Sequence, residues 1–373
     1  MKILQVNKLY YPHIGGIETV IQNMAEGLKD RTNMQVLVCQ EKGKTREEKI
    51  NGVNVTRCGS LGVFFSMPVS FSFLTRFRKK SRTADIVHIH MPFPLADVAC
   101  LLSGYKGKVV LSWHSDVVKQ KKLMLIYKPF MQWLLKRADK IIVATEGHIN
   151  GSAYLKPYRE KCVIIPYGIK TDDYKCIRQE NFLKLSDSRN KKILFIGRLV
   201  YYKGTDVLIN ALAQTKGSEV FIVGKGTLEA ELKEQVRKLG LEERVHFLGV
   251  LEDTDIKKAL NDCDFFVLPS VANSEAFGIV QSEAMICGKP VINTSLPTGV
   301  PYVSIDKETG FTVPPQNISK LAEAIQELTD NDDLRNKFGF NAEKRAREQF
   351  SMEKMLDDTE RLYAGLLNNR QGI

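Results

Sequence analysis

Short apolar runs recur along the chain, each closing on a turn-forming or polar residue and followed by apolar positions at helical spacing. In the first half such runs fall at residues 1–6, 36–39, 53–57, 85–90, 109–114, 140–145 and 162–166. In the second half they fall at 191–197, 220–223, 245–248, 265–268, 291–292 and 310–315. The intervening helical patterns include one through Thr19, Val20, Met24 and Leu28, and others over 71–82, 123–137, 278–287, 318–328 and 352–367. Near-continuous apolar strands alternating with helices predict an α/β protein built on parallel sheets buried on both faces. The charged stretch QEKGKTREEKING, between the second and third runs, is expected to be a loop.

Residues 265–294 carry the densest signal. FFVL ends at Pro269 and Ser270 as a buried strand should, a polar loop follows, and Gly278 opens a helix that stops before Gly288 and Pro290. Its N-terminus then lies at the carboxyl edge of a sheet, where α/β proteins bind ligands. Amides of Phe277, Gly278 and Ile279 are expected to point out of that terminus and suit a phosphate. Two carboxylates punctuate the stretch. Glu275 lies before the helix and suits a sugar; Glu283, inside it, suits a ribose beside the phosphate. Taken singly, a glutamate before a helix also reads as its cap, and one inside a helix as a solvated or ion-paired side chain.

The length of 373 residues allows two separate cores, and 43% apolar with 26% charged residues is ordinary for a globular chain. The expected division is 1–168, 169–350 and a terminal helix over 351–373. Seven cysteines with no C-x-x-C pair fall in or beside apolar runs and read as buried thiols. With no long apolar segment and no signal-peptide pattern, the expectation is a cytoplasmic protein. Charge is uneven. Residues 1–170 hold 27 Lys+Arg against 12 Asp+Glu, leaving 27 against 31 in the rest, so the net +11 is a basic first half of +15 and a remainder of −4. Such asymmetry either marks an anionic partner or is only a solvated surface. FSFLTRFRKKSR concentrates it, with Arg76, Arg78, Lys79 and Lys80 beside Phe71, Phe73, Leu74 and Phe77. That helix would lay an aromatic face on an anionic leaflet, or would be a surface helix whose aromatics enter the core.

Four further stretches bring chemistry to strand ends. NKLYYPHIGG closes on Gly15 and Gly16 before a helix, DIVHIH and VVLSWH end in histidine, and GRLVYYKG sets Arg198 and Lys203 before another helix. Arg forks onto phosphate oxygens and Lys supplies a point charge. Gly224 and Gly226 lack the third glycine of a dinucleotide fingerprint, so a nicotinamide cofactor is rejected. Both D-x-D triplets, at 253–255 and 262–264, read as structural, with Asp253 as a helix cap.

The E-x7-E spacing inside SEAFGIVQSEAMICGKPVI, with GRLVYYKG and the Gly-Gly loop, resembles the retaining nucleotide-sugar glycosyltransferases of family 4 over nearly the whole chain. The resemblance implies a GT-B fold: two Rossmann-like domains facing across a cleft, and a C-terminal helix crossing back to the first. It implies that Gly16, Arg198 and Lys203 hold the donor phosphates, Glu283 the ribose and Leu251 the base. Glu275 and His114 would act at the donor sugar, the nucleotide sugar being substrate, with no cofactor or metal. LPTGVPYV, at 296–303, resembles a subgroup that includes mannosyltransferases of surface polysaccharide synthesis, which makes GDP-mannose the first donor and UDP-sugars the second. A glycan or lipid-linked acceptor follows, with peripheral attachment to the inner membrane face. A sugar-nucleotide epimerase is one rival. A nucleic-acid binder is the other, though it would leave the paired glutamates and the phosphate cations without purpose, and no nucleic acid is expected.

Overall fold

A computed structural model describes residues 1–13, 15–64, 67–116, 121–174, 182–183 and 189–368. The chain forms two compact units, one of Met1–Gly168 with Met352–Ile373 and one of Ile169–Ser351. The last five positions of the expected terminal element, 369–373, lie outside the described residues.

The first unit holds β1 (Lys2–Val6), β2 (Asn33–Cys39), β3 (Arg46–Ile50), β4 (Val53–Cys58), a small ribbon of β5 (Val63–Phe64) and β6 (Met67–Pro68), then β7 (Ile86–Met91), β8 (Lys108–Trp113), β9 (Lys140–Val143) and β10 (Cys162–Ile164). Its main sheet runs β10-β9-β8-β7-β1-β2-β4-β3 and is parallel except for β3, which pairs antiparallel with β4. The strand β3 corrects the loop expected over this stretch. REEKI has no apolar alternation because it is an edge strand, and charged side chains there discourage pairing with other chains.

Period-two alternation sends Leu4, Val6, Val87, Ile89, Val109 and Leu111 to one face, under Phe73, Phe77 and the helix Pro94–Ser103. Ile3, Ile86 and Val110 go to the other, under the helix Gly16–Gly27 and under Met355, Leu356 and Tyr363 of the helix Met352–Asn368. The terminal helix therefore belongs to the first unit. The helix Pro94–Ser103 uses Pro94 at its first position, where no backbone N–H is needed.

The second unit is a six-stranded, all-parallel sheet of β11 (Lys191–Ile196), β12 (Ser218–Val223), β13 (Val245–Gly249), β14 (Phe265–Val267), β15 (Val291–Thr294) and β16 (Gly310–Val313), in the order β13-β12-β11-β14-β15-β16. Strand order reverses between β11 and β14. This is the crevice where open α/β sheets bind ligands, outside the carboxyl ends of the strands.

Candidate functional site

The loops that leave β11 and β14 are locked together at this reversal. After β11, Tyr201–Lys203 makes a short turn into Gly204, whose φ is +66° and where a Cβ would lie 2.1 Å from the Pro269 carbonyl oxygen. Only glycine allows that approach. Val271 N donates to the Tyr202 carbonyl at 2.8 Å, closing the second link. The two loops bring Lys203 Nζ to 2.6 Å from Glu275 Oε2, with the side chains only 11% and 10% exposed. Buried Ser270 Oγ donates to the same oxygen at 3.1 Å. Arg198 stays exposed, with Nη2 donating to the Tyr202 hydroxyl at 2.9 Å.

Gly224 and Gly226 serve this packing too. A Cβ on either would lie 2.0 Å from the Gly197 carbonyl oxygen and 2.1 Å from that of Leu199, respectively. Their role is backbone approach. Leu251 is partly exposed in the loop after β13, beside exposed Val250.

The next helix is Ile279–Ile286, with Gly278 as its N-cap at φ +71°. Ile279 is thus the first helical residue. Phe277 lies one step before the cap, its side chain buried against the Phe350 ring at 5.9 Å. Sequence reasoning missed what holds this terminus. Fully buried Gln281 donates to the Phe277 carbonyl at 2.9 Å, and Asn293 Nδ2 donates to Gln281 Oε1 at 2.9 Å and to the Val300 carbonyl at 3.0 Å. The available signal was an asparagine inside the apolar run VINT. Buried polar side chains keep such positions only when they are bonded.

Glu283 sits one turn further on, partly buried, and is hydrogen-bonded to Tyr174 from the turn Thr171–Tyr174. Burial pushes its carboxyl up to about 7; the Tyr174 bond opposes the shift, Asp253 adds to it and Lys257 opposes it. Lys257 Nζ lies 5.5 Å from the Tyr174 ring centroid and pairs with Asp253 at 2.5 Å and Asp173 at 3.5 Å. Asp253 is the first residue of its helix and the N-cap is Glu252, which corrects the expected cap. Asp262 pairs with Lys192 at 3.0 Å and Asp264 accepts from Lys192 N at 2.7 Å, so both carboxylates of the second triplet are held by structural partners.

In the first unit Gly16 begins its helix after Gly15, and a Cβ there would meet nothing within 4 Å. The preceding loop is clamped by buried Arg57, which donates to the Tyr10 carbonyl at 3.3 Å and to that of Tyr11 while pairing with Glu48. His114 is buried, with Nε2 2.9 Å from His90 Nδ1 and Nδ1 2.7 Å from the Tyr167 hydroxyl. Burial, with His148 nearby, pushes its pKa down to about 3, so the ring is neutral.

Of the basic helix, Phe73 and Phe77 are fully buried and pack in the core, with Phe73 5.3 Å from the Phe93 ring. The continuous aromatic face offered to a membrane is therefore corrected: among these aromatics Phe71 alone stays out, 73% exposed. Arg76 and Lys80 share Glu47 at 3.7 Å each, and Arg78 and Lys79 are exposed.

A family model described as Glycosyltransferase Family 4 matches residues 14–173, and one described as Glycosyl transferases group 1 matches 177–345. The chain is 33% identical to O-antigen chain mannosyltransferase C of Escherichia coli, over 99% of this chain and all of that one. It is 34% identical to D-rhamnosyltransferase WbpZ of Pseudomonas aeruginosa, over 94% and 92% of the two. Among solved structures, HepE of Anabaena in complex with UDP superposes with a TM-score of 0.80 at 21% identity, covering 98% of this chain and all of that one. The chain belongs to glycosyltransferase family 4. Its fold is GT-B and its activity is glycosyl transfer.

Proposed function

We propose that the chain moves a hexose from a nucleoside-diphosphate sugar to a glycan or lipid-linked acceptor in cell-surface polysaccharide synthesis, with retention at the anomeric carbon and with mannose from GDP-mannose as the donor group. The observation that carries this reading is the Lys203–Glu275 pair at the strand-order reversal. The likeness to an O-antigen mannosyltransferase supports the choice of sugar and pathway.

In the donor-free protein Lys203 and Glu275 neutralise one another. An arriving diphosphate competes for the ammonium and releases Glu275 oxygens to accept hydrogen bonds from donor-sugar hydroxyls. Arg198 forks onto the phosphates, joined by amides at Gly16 and at Phe277, Gly278 and Ile279. Glu283 receives the ribose and Leu251 the base. His114 serves the sugar from the first unit. As the anomeric carbon–oxygen bond breaks, this fixed positive charge stabilises the leaving diphosphate. The acceptor oxygen then bonds the same face of that carbon and its proton passes to a diphosphate oxygen. Two cations at the phosphates make the step metal-independent.

Exposed Arg78 and Lys79, with Phe71, Leu61 and Phe64 exposed on the same unit, suit peripheral attachment to an anionic membrane surface. Among the described residues no helix is long and apolar enough to cross a membrane.

Thermal melting without added metal, with GDP, UDP, ADP and their sugar conjugates, tests the donor site on wild type and on Arg198→Ala. A ligand that binds only the folded chain raises its apparent stability. Selective stabilisation by GDP and GDP-mannose that the variant loses is the expected result. A response to UDP conjugates alone replaces the donor, and no response to any nucleotide defeats the reading. Turnover of the sugar nucleotide without acceptor would indicate an epimerase.

A further inference from the structure

Gln5 on β1, His88 and His90 on β7 and Ser112 on β8 all project from one face of the first unit's sheet, since alternate residues of a strand share a face. They join His114, Tyr167 and Tyr363 in a buried ladder of hydrogen bonds. The rings of His90 and His114 are tilted by only 11° and their centroids are 5.2 Å apart, so the 2.9 Å nitrogen contact lies along the line of centres, as an in-plane N–H···N bond.

The direction of every proton follows from one side chain. Gln5 Oε1 carries no hydrogen, so His90 Nε2 donates to it, at 2.5 Å. A neutral imidazole has one N–H, so His90 Nδ1 is an acceptor and His114 Nε2 donates to it at 2.9 Å. His114 Nδ1 is then bare and accepts from the Tyr167 hydroxyl at 2.7 Å. On the other side Gln5 Nε2 donates to the Tyr363 oxygen at 3.4 Å, Tyr363 donates to His88 Nδ1 at 2.6 Å, and His88 Nε2 donates to Ser112 Oγ at 2.8 Å. The thioether of Met24, at 3.8 Å, is a weak competitor for the Tyr363 proton. Burial keeps all three rings neutral, pushing His88 and His114 down to about 3 and His90 well below its ordinary value.

The ladder therefore runs one way, from Tyr167 to Ser112. Turning the Gln5 amide over would reverse it, and Tyr167 would then receive a proton from His114 instead of giving one. We propose that Gln5 is a positioning residue for glycosyl transfer: its amide fixes the tautomers of His90 and His114, and so holds the His114 ring in the one orientation in which it serves the donor sugar. Tyr167 is partly exposed, whereas the other members are buried. The part of this proposal that concerns transfer rests on the glycosyltransferase reading above.

Full-length protein labelled with ¹⁵N-histidine tests it, because long-range proton–nitrogen spectra identify the protonated nitrogen of each ring without any substrate. In wild type His90 and His114 are expected to carry their protons on Nε2. Gln5→Met keeps the length of the side chain but removes both its acceptor and its donor. It should leave His114 averaging between tautomers and lower kcat/KM about 5-fold, the worth of one hydrogen bond. Should that variant fail to fold, Tyr167→Phe keeps the Nε2 proton on His114, moves its Nδ1 resonance to the unbonded position and lowers kcat/KM by a similar factor. A wild-type His114 protonated on Nδ1, or a folded Gln5→Met with an unchanged His114, overturns the proposal. If the tautomers behave as stated while no nucleotide sugar is consumed, the glycosyltransferase reading fails, and the role of Gln5 in transfer fails with it; the direction of the ladder is still upheld.

Discussion

Lys203 and Glu275 are 72 residues apart in sequence, yet their charged atoms meet at 2.6 Å, almost out of reach of water. Breaking a buried pair from one side strands a charge. Lys203→Ala should therefore cost about 3 kcal/mol of stability in denaturant unfolding and abolish measurable transfer. The double variant Lys203→Met/Glu275→Leu should recover most of the stability and none of the activity. Recovery of activity would remove both residues from the site.

Glu283 gives a pH signature in the donor-free protein. Its folded-state pKa is raised from 4.5 to about 7 by burial, so between those values the folded chain holds a proton that the unfolded chain has released. Its contribution then weakens as pH rises through that window and levels off above it. Glu283→Gln should gain stability relative to wild type from pH 5 to pH 8, read from denaturant midpoints. A difference independent of pH would contradict the burial of this carboxyl.

Arg57 holds the loop before Gly16 by two backbone carbonyls. Its replacement by alanine should cost roughly 2 kcal/mol, the worth of hydrogen bonds from a charged group, and should raise the donor KM more than it lowers kcat. Steady-state kinetics on the folded variant separate the two effects.

Gly278 has φ +71°, and a Cβ there would lie 2.5 Å from Leu268 Cδ2 and 2.9 Å from Gln281 Nε2. Gly278→Ala should destabilise by about 1–3 kcal/mol, the cost of a strained backbone position, and should weaken nucleotide binding in calorimetry. Unchanged affinity would place the diphosphate elsewhere.

Arg78→Glu/Lys79→Glu reverses two exposed cations without touching the core or the nucleotide residues. Sedimentation with anionic vesicles should fall at least tenfold, since each cation is worth about 1 kcal/mol near such a surface, while donor binding is unchanged. Binding that survives the reversal would exclude this helix as the contact.

Much of the second unit was legible in the chain. The FFVL run, Gly278, Gly288 and Pro290 fixed a strand, a helix start and a helix stop, and these local signals depend on neighbours within a few residues. The edge strand β3 was missed because solvent-facing pairing needs no apolar alternation. Gln281 and Asn293 were missed because a polar residue in an apolar element carries no local mark of its partner. The histidines were read one at a time, and the spacing of His88 and His90 already placed both on one face.

The sequence by itself determined the alternation of strands and helices and the residue types available at each strand end, since these follow from periodicity and turn chemistry. Tertiary structure decided which of those residues meet. The pairing of Lys203 with Glu275 depends on strand order, which places β11 beside β14, and on the close contact that Gly204 permits with Pro269. The proton direction of the histidine ladder depends on Gln5 lying beside His88 in register, 83 residues away along the chain. Contacts at such separations are set by the packing of whole elements, which no local pattern encodes.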